Sequence, residues 1–306
     1  MKPDRNTFLS PGQQKVLEAL RPILKLATCG IRSSLPLKMQ AASLIVGKSG
    51  TGKSHAVRAL AREAGVPFWE ANVASWIVLG ARNGNATLSS LVKWIANTKN
   101  GVIFLDELDK LTGMNEWTNA IRLEIHDLAD GRVPDGAIDV PGTTQLEEMT
   151  EDNDKIVRKA LIKLDVEDKL KNFFLVVGAG AWQISWAERQ QQIGFNNNPS
   201  VHERIDRQQI LKFITPEILQ RFRSEILFLD PMTESDYLAV MSAQILRLPV
   251  DLRLRFATLA VREIPGAIEQ GLGMRIFEEV YTRLCVEEIR RSGDNHEAAI
   301  KRLTGL

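Results

Sequence analysis

Residues 47–54, Gly-Lys-Ser-Gly-Thr-Gly-Lys-Ser, have the types and spacing of a loop that binds phosphate groups. They follow an apolar run at 42–46 and precede a helical pattern at 55–63. Between a strand and a helix, glycines let backbone N–H groups approach phosphate oxygens, and the helix N-terminus adds partial positive charge. The predicted members of this phosphate loop are Gly47, Lys48, Ser49, Gly50, Thr51, Gly52, Lys53 and Ser54.

Two side chains of the phosphate loop have predicted roles of their own. Lys53 is expected to reach the β- and γ-phosphates of a nucleotide, and the Ser54 hydroxyl is expected to bind Mg²⁺. A glycine-rich turn with a chance lysine is the alternative, and the flanking strand and helix patterns argue against it. The loop therefore predicts a bound nucleoside triphosphate and leaves its use open.

Two carboxylates follow the apolar strand predicted at 101–105. Consecutive apolar residues are typical of a parallel strand buried on both faces, and ligands bind at the carboxyl edge of such sheets. There we expect Asp106 to hold the Mg²⁺ shell through water, and Glu107 to orient and deprotonate an attacking water. An acidic strand-to-helix cap is the alternative for this pair alone. Combined with the phosphate loop, the pair predicts nucleotide hydrolysis.

The order of the predicted elements is that of an α/β domain followed by a helical domain. Pro231 ends the alternation of strands and helices, and residues 233–236 resemble a capping box that opens a helical region. The predicted strands lie at about 42–46, 66–73, 101–105, 173–178 and 225–229. The predicted domains are an N-terminal helical segment at 1–40, an α/β domain at 41–231 and a small helical domain at 232–306.

Composition excludes several classes of protein. The 306 residues carry a net charge of +1, so nothing demands a polyanionic partner. No apolar run approaches the ~20 residues of a membrane helix, and the N-terminus lacks a signal-peptide apolar region. We therefore expect a cytoplasmic protein. Cys29 and Cys285 lack metal-site spacing and are expected to be buried thiols in a reducing compartment.

Over roughly residues 40–290 these motifs resemble those of the AAA+ ATPases. Residues 47–54 are similar to the Walker A motif and 102–107 to Walker B, while 105–110 and 213–221 look like segments of ClpX-type unfoldases. The resemblance implies a P-loop three-layer αβα domain with a parallel sheet, followed by a helical lid. It also implies ATP and Mg²⁺ as cofactors, and a homo-hexamer in which each ATP lies between neighbouring subunits.

The resemblance assigns roles to two arginines. Arg221 ends the segment similar to an arginine finger, which acts on the ATP of a neighbouring subunit, and Arg223 is its rival. Arg275 lies in the segment similar to sensor 2 and would contact the γ-phosphate from the lid. The alternatives are a surface arginine for Arg221 and an i,i+4 pair with Glu279 for Arg275. No polar residue stands at the sensor 1 position, so none is assigned.

The segment after the second strand is expected to be an exposed pore loop that grips substrate. Trp76 is the first choice for the gripping residue, and Val78-Leu79-Gly80 is the alternative alignment to the family's aromatic-hydrophobic-Gly pattern. Burial of Trp76 in the core is the other alternative. The predicted pore-loop residues are Trp76, Ile77, Val78, Leu79 and Gly80.

Two further segments resemble parts of ClpX-type proteins. Residues 131–134 match the place of a second pore segment, and residues 193–195, Ile-Gly-Phe, match a peptidase-docking tripeptide. The role of the 131–172 insertion is open.

Taken together, the resemblance implies an ATP-driven remodeller that threads or opens a protein substrate. About 40 residues precede the ATPase core, so we expect the substrate or an adaptor to present itself. That organisation resembles small bacterial relatives of the pachytene-checkpoint ATPases, which open HORMA-domain proteins in bacterial defence operons. The alternatives are a nucleic-acid-handling ATPase of the transposition-regulator or clamp-loader type, which the balanced charge disfavours, an unfoldase partnered with a peptidase, and a nucleotide-binding scaffold with little turnover.

Overall fold

The structure is a computed structural model whose contacts divide the chain into two compact units. The first unit comprises Met1–Val16, Gly47–Ala56 and Leu229–Leu306, and the second comprises Leu17–Val46 and Val57–Phe228. This grouping differs from the predicted division at 40 and 231, because the phosphate loop groups with the helical residues. The residues that the structure describes are 9–37, 39–83, 86–113, 115–134, 137–138, 151–185, 205–222, 226–292, 297 and 303.

The second unit is built on a five-stranded parallel sheet with the strand order β2-β3-β4-β1-β5. Strand β4 lies between β1 and β3, with Gly180 beside Val46 and Gly178 beside Leu105. Because all five strands are parallel, their carboxyl ends lie at one edge. The strands are β1 Ala42–Val46, β2 Phe68–Asn72, β3 Gly101–Asp106, β4 Phe174–Gly180 and β5 Ile226–Phe228.

Every residue of β1 and β4 is buried, which shows that both faces of the sheet are covered. Apolar runs such as Val102–Leu105 suit this environment, since a strand buried on both faces needs no polar alternation. The result is the predicted three-layer αβα arrangement. The helices are α1 Pro11–Thr28, α2 Lys53–Ala64, α3 Val73–Asn83, α4 Ala86–Ala96, α5 Glu116–Ala129, α6 Glu151–Phe173, α7 Arg207–Leu211 and α8 Pro216–Arg221.

The first unit contains the helical region that the sequence predicts after Pro231. Its helices are α9 Glu234–Ile245, α10 Val250–Gln270 and α11 Arg275–Ser292. The predicted capping box is present, because Thr233 Oγ1 accepts the Asp236 N–H and the Asp236 carboxylate accepts the Thr233 N–H at 2.8 Å. The core of this region includes Tyr237, Val240, Phe256, Ile264, Phe277, Val280 and Leu284.

Part of the 131–172 insertion is helical in the structure, and the expectation about the two cysteines changes. The polar insertion contains the 23-residue helix α6, and Val166 and Leu170 bury one side of it against the sheet unit. Its mixed charges lie along the remaining surface, where Lys169 pairs with Asp165 at 2.9 Å. Cys29 is exposed and Cys285 is half-buried, so the prediction of two buried thiols is wrong. Cys29 lies just beyond the end of α1, outside the stripe that α1 buries.

Candidate nucleotide site

The phosphate loop lies in the first unit and has the backbone that its glycines predict. Gly50 and Gly52 have φ values of 79° and 82°, a left-handed conformation that a side chain would strain. Gly47 is required for space, because a Cβ atom there would lie 2.6 Å from the Leu229 carbonyl oxygen. All three glycines therefore have a structural reason that is independent of any ligand.

Lys53 opens helix α2 and folds back over the loop. Its ammonium donates to the Gly47 carbonyl at 2.8 Å and to the Lys48 carbonyl at 3.1 Å, and only 8% of the residue is exposed. A buried cation at the N-terminal end of a helix favours an anionic ligand. Ser54 follows in the first turn of α2, where its hydroxyl is an oxygen donor of the kind that Mg²⁺ prefers.

The acidic end of β3 lies in the second unit and contains a strained residue. Asp106 closes the strand, and its Oδ1 accepts the Glu107 N–H at 2.9 Å. Glu107 itself has φ 61° and ψ 39°, a left-handed conformation that is uncommon for a residue with a side chain. Such strain costs on the order of 1–3 kcal/mol and tends to occur at functional sites. The sequence predicts the position of Glu107 and gives no signal for its backbone conformation.

A short 3-10 helix, Leu108–Lys110, explains why no polar sensor 1 side chain stands at the end of β4. A Cβ atom on Gly178 would lie 2.3 Å from a Leu108 methyl, and one on Gly180 would lie 2.7 Å from Asp109 Oδ1. Asp109 is 5% exposed and its Oδ1 accepts the Ala181 N–H at 3.0 Å. This carboxylate joins the acidic end of β3 to the end of β4, a role that the sequence analysis missed.

Arg221 ends helix α8 and is held by residues of its own chain. Its Nη1 lies 3.1 Å from Asp130 Oδ1, and its Nε donates to His126 Nε2 at 3.2 Å. The side chain remains 35% exposed. Because an arginine is always protonated, His126 Nε2 accepts this bond with its lone pair. The proton of a neutral His126 then lies on Nδ1, 3.4 Å from Asp127 Oδ1.

The Arg221 guanidinium is therefore oriented by its neighbours while part of the side chain stays at the surface. His126 and Asp130 were not predicted as functional residues, because neither forms a motif with Arg221 along the chain. The rival residue Arg223 lies outside the described residues. The assignment of Arg221 as a finger stays a prediction.

Arg275 is the first residue of α11 and is exposed. The alternative for Arg275 was an ion pair with Glu279. In the structure Glu279 forms its ion pair with Arg283 instead. The residue before it, Met274, donates its N–H to the Gly50 carbonyl at 3.2 Å. The chain thus enters α11 directly from a residue bonded to the phosphate loop, and the sensor 2 role of Arg275 stays a prediction.

The expectation that Trp76 grips substrate from an exposed loop is wrong. Residues 73–83 form helix α3, in which Trp76 is 1% exposed and donates its indole N–H to Glu124 Oε2 at 3.0 Å. Helical spacing explains the error, because Val73 and Trp76 lie on the buried side while Val78 and Leu79 are 53% and 42% exposed. In the alternative alignment, Val78-Leu79-Gly80, the structure leaves Val78 and Leu79 exposed and Gly80 buried.

Replacing Trp76 by Phe is expected to lower the free energy of unfolding by about 1–3 kcal/mol, because a buried Glu124 loses its hydrogen-bond donor. Burial raises the pKa of the Glu124 carboxyl, and the Trp76 hydrogen bond opposes that rise. A folded-state pKa above the unfolded one means that stability is lost as pH rises through it. Denaturant unfolding should therefore show that Trp76→Phe lowers the free energy of unfolding more at neutral pH than at acidic pH.

Trp117→Phe is the matched control, since Trp117 is 48% exposed on helix α5. Glu124→Gln should keep an acceptor for the indole N–H and remove the decline of stability with rising pH. An equal destabilisation by Trp76→Phe at both pH values would contradict the role of a charged Glu124.

Two other predicted segments have different outcomes. In the second pore segment, Val133 is 2% exposed and its N–H donates to Glu167 Oε1 at 3.1 Å, which fixes it to helix α6. Arg132 pairs with Asp127 at 2.9 Å. The tripeptide at 193–195 lies outside the described residues.

Within the ranges that the structure describes, no group of three or more His, Cys, Asp or Glu side chains could hold a metal ion. Among the helices of those ranges, none is long and apolar enough to cross a bilayer.

The parallel sheet, the glycine loop after its strand β1 and the carboxylates after β3 are features typical of nucleotide-binding α/β proteins. Residues 43–130 match the ATPase family associated with various cellular activities (AAA). That segment begins in β1 and ends after α5, so it contains both the phosphate loop and the acidic end of β3.

Parts of several curated proteins are similar to this chain. The chain is 34% identical over 99 residues to the ATP-dependent zinc metalloprotease FtsH 1 of Petrotoga mobilis, which is 32% of this chain and 15% of that protein. It is 33% identical over 110 residues to FtsH 3 of the same organism, covering 35% and 17%. It is 40% identical over 68 residues to FtsH 1 of Symbiobacterium thermophilum, covering 22% and 11%.

The chain spans less than a fifth of the length of these relatives. Together, the family match and the relatives support an AAA ATPase domain in the part of the chain that they cover. ATP and Mg²⁺ are the usual cofactors of that family.

Proposed function

We propose that this chain hydrolyses ATP and uses the energy to remodel a protein substrate. The observation that carries the proposal is the conformation of Glu107. A carboxylate held at φ 61° immediately after Asp106, within the segment that matches the AAA family, has the kind of backbone strain that tends to occur at functional sites. A residue of this kind is suited to direct a water molecule at a bound phosphate.

The proposed roles follow the chemistry of each group. Backbone N–H groups of the phosphate loop and Lys53 bind the β- and γ-phosphates, and Glu107 accepts a proton from the attacking water. Ser54 would hold Mg²⁺ directly and Asp106 through water, and the ion would neutralise phosphate charge. Arg275 binds the γ-phosphate and reports its presence to the helical region.

The proposed assembly is a homo-hexamer in which Arg221 acts on the nucleotide of a neighbouring subunit. Support comes from its side chain, which is oriented by Asp130 and His126 yet remains 35% exposed. An arginine held in this way loses little conformational entropy when it meets a phosphate.

The proposed substrate is a protein, presented directly or by an adaptor, with a HORMA-domain protein as the most specific form of the proposal. The relatives are ATP-dependent zinc metalloproteases, and a protease acts on polypeptides. A net charge of +1 gives no electrostatic attraction to nucleic acid. The cytoplasmic location expected from the sequence stays a prediction.

The rate of ATP hydrolysis, measured with and without added polymers, tests this function. An unfolded model polypeptide should raise the rate, while single- or double-stranded DNA should leave it unchanged. Stimulation by DNA alone would replace the proposal with a nucleic-acid-handling ATPase. If no hydrolysis is measurable under any of these conditions, the result would favour the alternative of a nucleotide-binding scaffold.

Replacing Val78 and Leu79 together by serine should lower the ratio of the polypeptide-stimulated rate to the basal rate by about tenfold. These side chains are exposed, so their apolar surface is available to a substrate and its loss costs the core little. Leu161→Ser on helix α6 is the matched control, because Leu161 is 61% exposed on an unrelated element. An unchanged ratio in the double variant would rule out this surface as the gripping site.

A further inference from the structure

The buried carboxamide of Gln13 joins three segments of the first unit. Gln13 is fully buried in the first turn of α1. Its Nε2 donates to the Thr51 carbonyl at 3.0 Å and lies 3.4 Å from the Gly52 carbonyl, while Met274 Sδ lies 3.8 Å away. A side chain at the start of the helical segment thus contacts the phosphate loop and the turn before α11.

A capping box fixes the orientation of this carboxamide. Gln13 Oε1 accepts the Ser10 N–H at 3.0 Å, and Ser10 Oγ accepts the Gln13 N–H at 3.3 Å. With a donor on one side and carbonyls on the other, only one assignment of the amide oxygen and nitrogen satisfies both sets of bonds. The NH₂ group of Gln13 is therefore directed at the phosphate loop.

The turn before α11 makes a second main-chain contact with the loop. The Met274 N–H donates to the Gly50 carbonyl at 3.2 Å. The approach is so close that a Cβ atom on Gly273 would lie 1.9 Å from the Gly50 carbonyl oxygen, and one on Gly50 would lie 2.3 Å from the Leu272 carbonyl oxygen. This contact therefore requires glycine at positions 50 and 273.

These bonds determine where the N–H groups of the loop point. In a planar trans peptide the C=O and N–H point in opposite directions. Bonds that hold the carbonyls of Thr51 and Gly52 from outside therefore direct the N–H groups of Gly52 and Lys53 to the other side, while the Thr51 N–H donates to the Lys48 carbonyl within the loop at 3.4 Å. A phosphate-binding loop needs its N–H groups directed at the ligand before the ligand arrives.

We propose that Gln13 is a positioning residue, which together with the Met274 N–H sets the backbone of the phosphate loop for nucleotide binding. The inference rests on the proposed binding of ATP at this loop. It assigns a role to a residue outside the loop motif, and it makes the turn at 272–274 part of the nucleotide site. ATP binding and the position of this turn are then coupled, because the same carbonyl bonds serve both.

Gln13→Met keeps the volume of the side chain and removes its donors. We expect the dissociation constant for ATP, measured by calorimetry, to rise about tenfold, as the loss of one or two buried hydrogen bonds predicts. Gln14→Met is the matched control, since Gln14 is exposed and, within the described residues, its side chain donates only to the Leu9 carbonyl. Its dissociation constant should stay within twofold of the wild-type value.

Gln13→Glu tests the donor role through a pH dependence of ATP affinity that a purely structural role would not produce. Its carboxylate repels the Thr51 carbonyl, whereas its protonated form can donate to it again. The affinity for ATP relative to wild type should therefore fall at pH 8 and recover at about pH 5.5, because burial favours the protonated acid. A pH-independent ratio would contradict the proposed donor role.

A pair of glycine variants tests the second contact and does not depend on Gln13. Gly271 and Gly273 have similar φ values of 65° and 61°, so alanine strains both backbones alike. A Cβ atom at 271 meets nothing within 4 Å, whereas one at 273 displaces the turn from Gly50. Gly273→Ala should weaken ATP binding several-fold more than Gly271→Ala.

The outcomes separate this inference from the proposed function. ATP affinity within twofold of wild type in both Gln13→Met and Gly273→Ala would overturn the inference, whatever their melting temperatures. Wild-type protein that fails to bind ATP would overturn the proposed function itself.

Discussion

Glu107→Gln should abolish turnover of ATP while leaving ATP bound. The substitution removes the group that accepts the proton of the attacking water, and positioned general bases contribute about 10²–10⁴-fold to rate. It keeps the size of the side chain and leaves Lys53 and the phosphate loop untouched, so the dissociation constant for ATP should change little. The measurement is the release of phosphate at saturating ATP, paired with calorimetric binding of ATP.

Glu116→Gln is the control for this substitution, because Glu116 is an exposed acid at the start of α5. It should hydrolyse ATP at the wild-type rate. A Glu107→Gln protein that retains more than about a tenth of wild-type turnover would remove Glu107 from the role of base.

Arg221→Ala should bind ATP normally and hydrolyse it at least ~10³-fold more slowly if Arg221 is an arginine finger. The side chain stabilises charge that develops on the transferred phosphoryl group in the transition state. Removing it should therefore lower the rate of hydrolysis and leave the binding of ATP in the ground state unchanged. Steady-state turnover and the dissociation constant for ATP, measured on one preparation, separate the two effects.

Arg132→Ala is the matched control for the loss of an ion pair. Arg132 also binds Asp130, at 3.1 Å, and it is 51% exposed. If Arg221 serves only to neutralise Asp130, both variants should lose stability and rate to a similar degree. The finger role instead predicts that only Arg221→Ala loses rate.

Mixing Arg221→Ala with Glu107→Gln subunits tests action between subunits. An interface that takes Glu107 from one protein and Arg221 from the other is complete, so a mixture should recover part of the wild-type rate. A mixture as inactive as its two components would place Arg221 outside a shared site.

Local features of the site were predictable from sequence alone. The phosphate loop combines a strand, three glycines and a helix start within some twenty residues, and each piece has a strong local preference. The end of β3 is similar, because its apolar run and its two acids are contiguous. Parallel pairing then follows from alternating strands and helices.

Features that depend on contacts between distant residues were not predictable. Whether Trp76 faces the core depends on Glu124, 48 positions away, which satisfies its indole N–H. The orientation of Arg221 depends on Asp130 and His126, and the grouping of the phosphate loop with the helical region depends on Gln13 and Met274. None of these pairs leaves a spacing pattern, because side-chain contacts across a fold have no fixed period.

The central claim is that ATP bound at the phosphate loop drives action on a protein. The most direct measurement is capture from a cell extract by Glu107→Gln protein in the presence of ATP, with ADP and a Lys53→Ala variant as controls. The account predicts that discrete proteins are retained only with ATP and only by the protein with an intact Lys53, and that nucleic acid is absent. Retention of nucleic acid, or of the same proteins with ADP, would contradict it.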